Sequence, residues 1–223
     1  KVLNSAGDKV DASVFINFKT FPILLGHFVK SSAKPISNSF SDFATWAEVD
    51  VTVKPNELLL NGFTQSSDSL NTYVSIFSRQ EPQEMEAVKI FPVNTAAFIF
   101  FGISNVKAYR FDYKNYLETR HRFFDYNQRV EGVYRQYHVN IEKSLFSWME
   151  KEMALVVTEN SSGDISGNCY AVFRAGNTED AKQALKRLAD TINAANEKKQ
   201  PDTLSYRGHT INHLDIENII PLL

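Results

Sequence analysis

Cysteine is almost missing from this chain. Cys169 is the only one in 223 residues, which excludes an internal disulfide and a cysteine-based metal site. Its place before Tyr170 in an expected core strand makes it a buried, inert thiol. Long hydrophobic runs are missing too. The longest apolar stretches fall well short of the ~20 residues a spanning helix needs, so no transmembrane segment is expected. Neither sign of charge dominates: 24 basic residues against 26 acidic ones leave a net charge of −2, with no general drive toward nucleic acid or an anionic membrane. There is no phosphate loop, no GxGxxG, no GxSxG and no HExxH. These gaps lower the expectation of an enzyme, and no cofactor or resident metal is expected. The chain begins at Lys1 rather than Met, from which a removed signal sequence or a larger upstream region is expected.

What is present is an ordinary globular composition. A 43% apolar fraction with 13% aromatics can build a core and is too apolar for disorder. The length suits one large domain or two small ones. The central stretch Val93-Asn94-Thr95-Ala96-Ala97-Phe98-Ile99-Phe100-Phe101 carries no charge. It has a partner in Val10-Asp11-Ala12-Ser13-Val14-Phe15-Ile16-Asn17-Phe18, with Val, Phe, Ile and Phe coinciding. Two such runs predict two related units, 1–92 and 93–223, each opening with a buried strand. The run at 93–101 is expected among the most buried stretches.

In the first unit, Thr20-Phe21-Pro22 starts a helix, since proline suits the first turn. Ile23, Leu24, Phe28 and Val29 would be its buried stripe. The serine-rich stretch 31–41 is a loop. Glu48-Val49-Asp50-Val51-Thr52-Val53 alternates like a half-buried antiparallel strand with the valines inward. Lys54-Pro55-Asn56-Glu57 is a turn, and 58–63 returns. A helix opens near Asp68 and carries Leu70, Tyr73, Val74 and Phe77 at helical spacing.

In the second unit the strand 93–103 leads to a long helix, 113–138, capped by Asp112 and locally weakened by Gly132. Asn140 caps a short helix. Residues 152–157 and 168–174 form a hairpin around the loop 160–164, Asn177 or Thr178 caps the next helix, and a last hairpin turns at Arg207-Gly208. Ile219-Ile220-Pro221 echoes Ile90-Phe91-Pro92, as if the series continued. Adjacent antiparallel strands interrupted by helices define an α+β class of two related, unequal units, each strand-helix-hairpin-helix.

Three constellations invite chemistry. His209 and His213 would share a metal on a helix, but on a strand they sit roughly 13 Å apart and read as surface histidines. Arg120, Arg122, Arg129 and Arg135, interleaved with aromatics, are a candidate polyanion grip. Glu118, Asp125 and Glu131 largely neutralise them. Glu48 with Asp50, and Glu150 with Glu152, are candidate paired carboxylates for glycosidase-type work, or simply strand charges kept for solubility.

The 92–102 stretch, the acidic residues Glu48 and Glu152, Tyr170-Ala-Val-Phe173 with Asn177-Thr-Glu-Asp-Ala181, and Tyr206-Arg-Gly-His-Thr-Ile211 resemble a family of exported, Bacteroidetes-type bacterial proteins known only as a domain of unknown function. The resemblance implies an extracytoplasmic place, in the periplasm or as a cell-surface lipoprotein behind a signal peptide, and supplies no catalytic residues. The expected function is a binding or scaffolding module of the cell envelope, whose partner is an envelope protein or a glycan rather than nucleic acid. The competing expectation is a polymer-degrading hydrolase using carboxylates brought together between the units.

Overall fold

A computed structural model describes residues 9–29, 40–66, 72–159, 168–196 and 203–212. Residues 31–39 of the loop expected at 31–41, Asp68 and Leu70, the loop expected at 160–164, His213 and Ile219-Ile220-Pro221 lie outside the described residues. Contacts divide the chain into two compact units, one of 1–78 with 111–120 and one of 79–110 with 121–223. Each holds a three-stranded antiparallel sheet with helices around it, the α+β class expected.

In the first unit, β1 (Ala12–Asn17), β2 (Trp46–Lys54) and β3 (Glu57–Gln65) lie in that order, with β2 in the middle. Pro55 and Asn56 turn β2 into β3 and leave Lys54 opposite Glu57, where the two form an ion pair. Gly62 lies opposite Val49 because no side chain fits there: a Cβ would stand 1.9 Å from the Glu48 carbonyl oxygen. The helix α1 (Phe21–Phe28) has proline in its first turn, as expected. The core gathers Phe18, Ala44 and Ala47 with Ile16 and Val74. Rings continue it, from Phe18 to Phe43 (5.3 Å), Phe43 to Tyr73 (6.1 Å) and Tyr73 to Tyr116 (6.1 Å).

Three expectations fail here. The stripe of α1 is not buried: Ile23, Leu24 and Phe28 are exposed, Phe28 by 80%, and only Pro22 is covered. A two-turn helix with apolar residues all round cannot bury every side. On β2 the two faces are not divided into an apolar inside and a polar outside: Glu48 is 1% exposed, Val49 to Thr52 are all half-buried and Val53 stands open. The helix expected through Tyr73 and Phe77 is a 3₁₀ turn, Tyr73–Phe77.

The second unit runs through β4 (Thr95–Ile103), α2 (Val106–Thr119), α3 (Phe123–Tyr137), α4 (Ile141–Phe146), β5 (Met149–Thr158), β6 (Cys169–Ala175) and α5 (Thr178–Ala195). A hairpin of β7 (Thr203–Tyr206) and β8 (His209–Asn212) follows, turning through Arg207 and Gly208 at φ 48° and 80°. The sheet order is β4-β5-β6. Residues 106–110 of α2 cluster with this unit and 111–119 with the first. The single long helix expected at 113–138 is two helices, broken at Arg120–Arg122, where His121 takes φ 56°. It also starts earlier: Asn105 caps it by accepting the Ala108 N–H (2.9 Å), and Asp112 is a buried residue inside α2. Asn140 and Asn177 cap α4 and α5 as expected.

The central apolar run is the clearest reversal. Among the described residues β4 is an edge strand, with Ile99 57% exposed and Val93, just before it, fully open. The buried strand is β5, neighboured on both sides, whose Ala154 and Val156 pack with Ala87 of the 3₁₀ turn Ala87–Ile90. Cys169, expected in the core, is exposed on the other edge strand, β6. An uncharged apolar run marks a strand, but its place in the sheet decides its burial.

Candidate functional sites

The two glutamates singled out by the sequence take matching places. The β5–β6 register moves four residues on β5, Met149 to Met153, against two on β6, Ala175 to Phe173. The bulge thus holds two extra residues, Glu150 and Lys151. With them set aside, the sequence Trp148-Met149-Glu152 reads like Trp46-Ala47-Glu48, and each glutamate sits on the middle strand of its sheet.

Their surroundings differ. Glu152 is 2% exposed. One of its oxygens accepts the backbone N–H groups of Glu86 (2.9 Å) and Ala87 (3.0 Å), and the other meets the Arg174 guanidinium (3.4 Å). In the first unit the residues opposite Glu48 are Phe15 and Phe63, whose side chains offer no donors, and with both acids ionised neither Glu48 oxygen meets a hydrogen-bond donor among the described residues. The Asp50 carboxyl, on the same face and itself bonded by the Ser13 hydroxyl (2.6 Å), favours a shared proton and raises Glu48 above the ordinary carboxylate value. Burial and charge repulsion from Asp50 act the same way. A general acid must reach its substrate, and Glu48 is closed off. The reading of both pairs as exposed strand charges fails equally for Glu48 and Glu152. Glu150 is exposed in the bulge.

The four arginines do not form one face of one helix. Arg120 belongs to the first unit, where it is ion-paired with the buried Asp42. Arg122 stands in the link before α3, and Arg129 and Arg135 are exposed on α3 itself.

A cleft of about 700 Å³ lies wholly in the second unit, between the start of α2, the end of α4 and the bulge of β5. Gln80 knits one wall: its side chain accepts the Asn105 N–H (2.9 Å) and donates to the Asn105 carbonyl (3.3 Å), while Ser104 accepts the Glu81 N–H (2.9 Å). Lys107, Arg110, Lys143 and Lys151 line it, with Glu81 and Glu150 as the acids. Arg110 is fixed by stacking over the Phe146 ring (4.9 Å) and by Glu142 (2.8 Å), which the Tyr126 hydroxyl also holds (2.5 Å). The three lysines are in no ion pair among the described residues. Sequence reading missed this site, because its cations come from three separate elements and share no local motif.

The third feature is apolar. Every residue of β3 is exposed, including Leu58, Leu59, Leu60 and Phe63, the last by 70%. With the open Val53 of the neighbouring β2 they spread over both faces at that side of the sheet.

Comparison with known protein families, with characterised proteins and with solved structures yields no match. Among the described residues no three His, Cys, Asp or Glu side chains converge as metal ligands, and no helix is long and apolar enough to cross a membrane.

Proposed function

We propose that this chain is a binding or scaffolding module of the bacterial cell envelope, in the manner of the exported family it resembles, and that it holds a protein partner along β3. One observation carries the reading. A nine-residue strand at the edge of its sheet, among the described residues, leaves four large apolar side chains in water. Contiguous apolar surface of this kind marks interaction sites, and an open strand edge accepts an added strand through backbone hydrogen bonds.

The test is photo-crosslinking in cells. A photoreactive residue at Leu60 is expected to give one discrete adduct, and the same residue at the exposed Lys186 of α5 none. A Leu60 position that yields no adduct would sink the docking reading. Fractionation tests the location separately: the full-length protein recovered from the cytosol would overturn the envelope assignment.

A further inference from the structure

We propose that the cleft of the second unit binds a small polyanion, a ligand carrying two or more phosphate or carboxylate groups. The inference is independent of the β3 surface, which belongs to the other unit.

The size fits. At about 700 Å³ the cleft falls within the range of small-molecule sites, roughly 300–1,000 Å³. The charge is the stronger argument. Four cations and two acids line the cleft; with Glu142 paired to Arg110 an excess of one positive charge is left, in a chain whose net charge is −2. Lys107 comes from α2, Lys143 from α4 and Lys151 from β5, and none has an ion-pair partner among the described residues. Converging like charges with low-dielectric walls repel one another and raise the local concentration of counter-ions. An anion held among them relieves that repulsion.

Two further details indicate a prepared site. Arg110 is already immobilised by Phe146 and Glu142, so part of its guanidinium fork is oriented before any ligand arrives. Lys151 adopts φ 65°, a left-handed conformation that a lysine rarely takes outside strained, often functional positions. The bulge that imposes it also brings Lys151 to the cleft. Phe146 and Met149 add an apolar wall, which suits a ligand with a carbon skeleton between its anionic groups.

Trp148 provides the readout. It is buried between the cleft residues Ser147 and Met149, with its indole N–H donating to the Ser144 carbonyl (2.7 Å). Trp46→Phe removes the other tryptophan. Titration of that variant with sodium pyrophosphate and with citrate, at low salt, is expected to give a saturable fluorescence change. Calorimetry on the unaltered chain provides the same isotherm without relying on the reporter. In the Lys143→Gln/Lys151→Gln double variant the affinity is expected to fall at least about tenfold, and salt at about 0.5 M should weaken the parent's binding steeply. Saturation by pyrophosphate alone assigns phosphate esters, and by citrate alone carboxylates. No saturable heat with either probe overturns the proposal, and so does binding that the double variant leaves unchanged.

Discussion

At Glu152, two backbone N–H groups and a guanidinium meet one buried carboxylate, whereas Glu48 in the same place has nothing comparable. Truncating Glu152 to Ala strands the N–H groups of Glu86 and Ala87, and should cost about 2 kcal/mol in denaturant unfolding; an unchanged midpoint would show that water replaces the carboxylate freely. Glu48 has a pH dependence of its own. Its folded carboxyl lies above its ordinary value of 4.5, so the folded chain binds that proton more tightly than the unfolded one. The stability this confers is whole below pH 4.5 and is lost as pH rises through the folded value. Glu48→Gln stays neutral throughout. It should flatten the pH dependence of the melting temperature and exceed the parent at pH 7; a gap between the two that is constant from acid to neutral pH would refute this. The glycines make a sharper pair. A Cβ at Gly62 meets backbone at 1.9 Å, while one at Gly176 meets only the mobile Glu150 carboxyl at 2.3 Å. Gly62→Ala is therefore expected to cost about 2–3 kcal/mol and Gly176→Ala less than about 0.5; equal effects would contradict the register of β2 and β3. The sequence identified the two glutamates, but it could not say which was satisfied. The backbone donors to Glu152 lie more than sixty residues away in the chain and Arg174 lies 22 away, and long-range partners leave no local pattern.

Elements announce themselves when their chemistry is local. Pro22 in α1, Asn140 and Asn177 as caps, and the Pro55-Asn56 turn were all legible because each acts on neighbours within a few residues. Asn177 accepts the N–H groups of Glu179 (2.9 Å) and Asp180 (3.3 Å). Asn177→Ala should thus lower stability by about 1 kcal/mol, with the loss of amide protection confined to the first turn of α5; an undiminished melting temperature would show that the cap is redundant. Burial was much less legible. β4 and α1 look like core in isolation, yet one is a sheet edge and the other too short to hide every apolar side. The break between α2 and α3 escaped notice as well. No glycine or proline marks Arg120–Arg122, and a left-handed His121 makes the turn instead.

On the scale of the whole molecule, the two units follow one order of elements: strand, helical segment, middle strand, edge strand. That order was legible from the paired apolar runs, although the burial inferred from them was not. The cleft was illegible, since only folding brings Lys107, Lys143 and Lys151 together. Separate sheets predict separate responses. In hydrogen exchange, Gly62→Ala should deprotect 46–65 and spare 149–158, and Glu152→Ala the reverse; coupled losses would mean that the two sheets unfold as one. The bulge of β5 has a further consequence. Its two extra residues interrupt the pairing of β5 with β6, and Lys151 within it is a cation of the cleft. β2 pairs with β3 without such an interruption. The second unit thus lines its cleft with a residue of the bulge, for which the uninterrupted pairing of β2 with β3 has no counterpart.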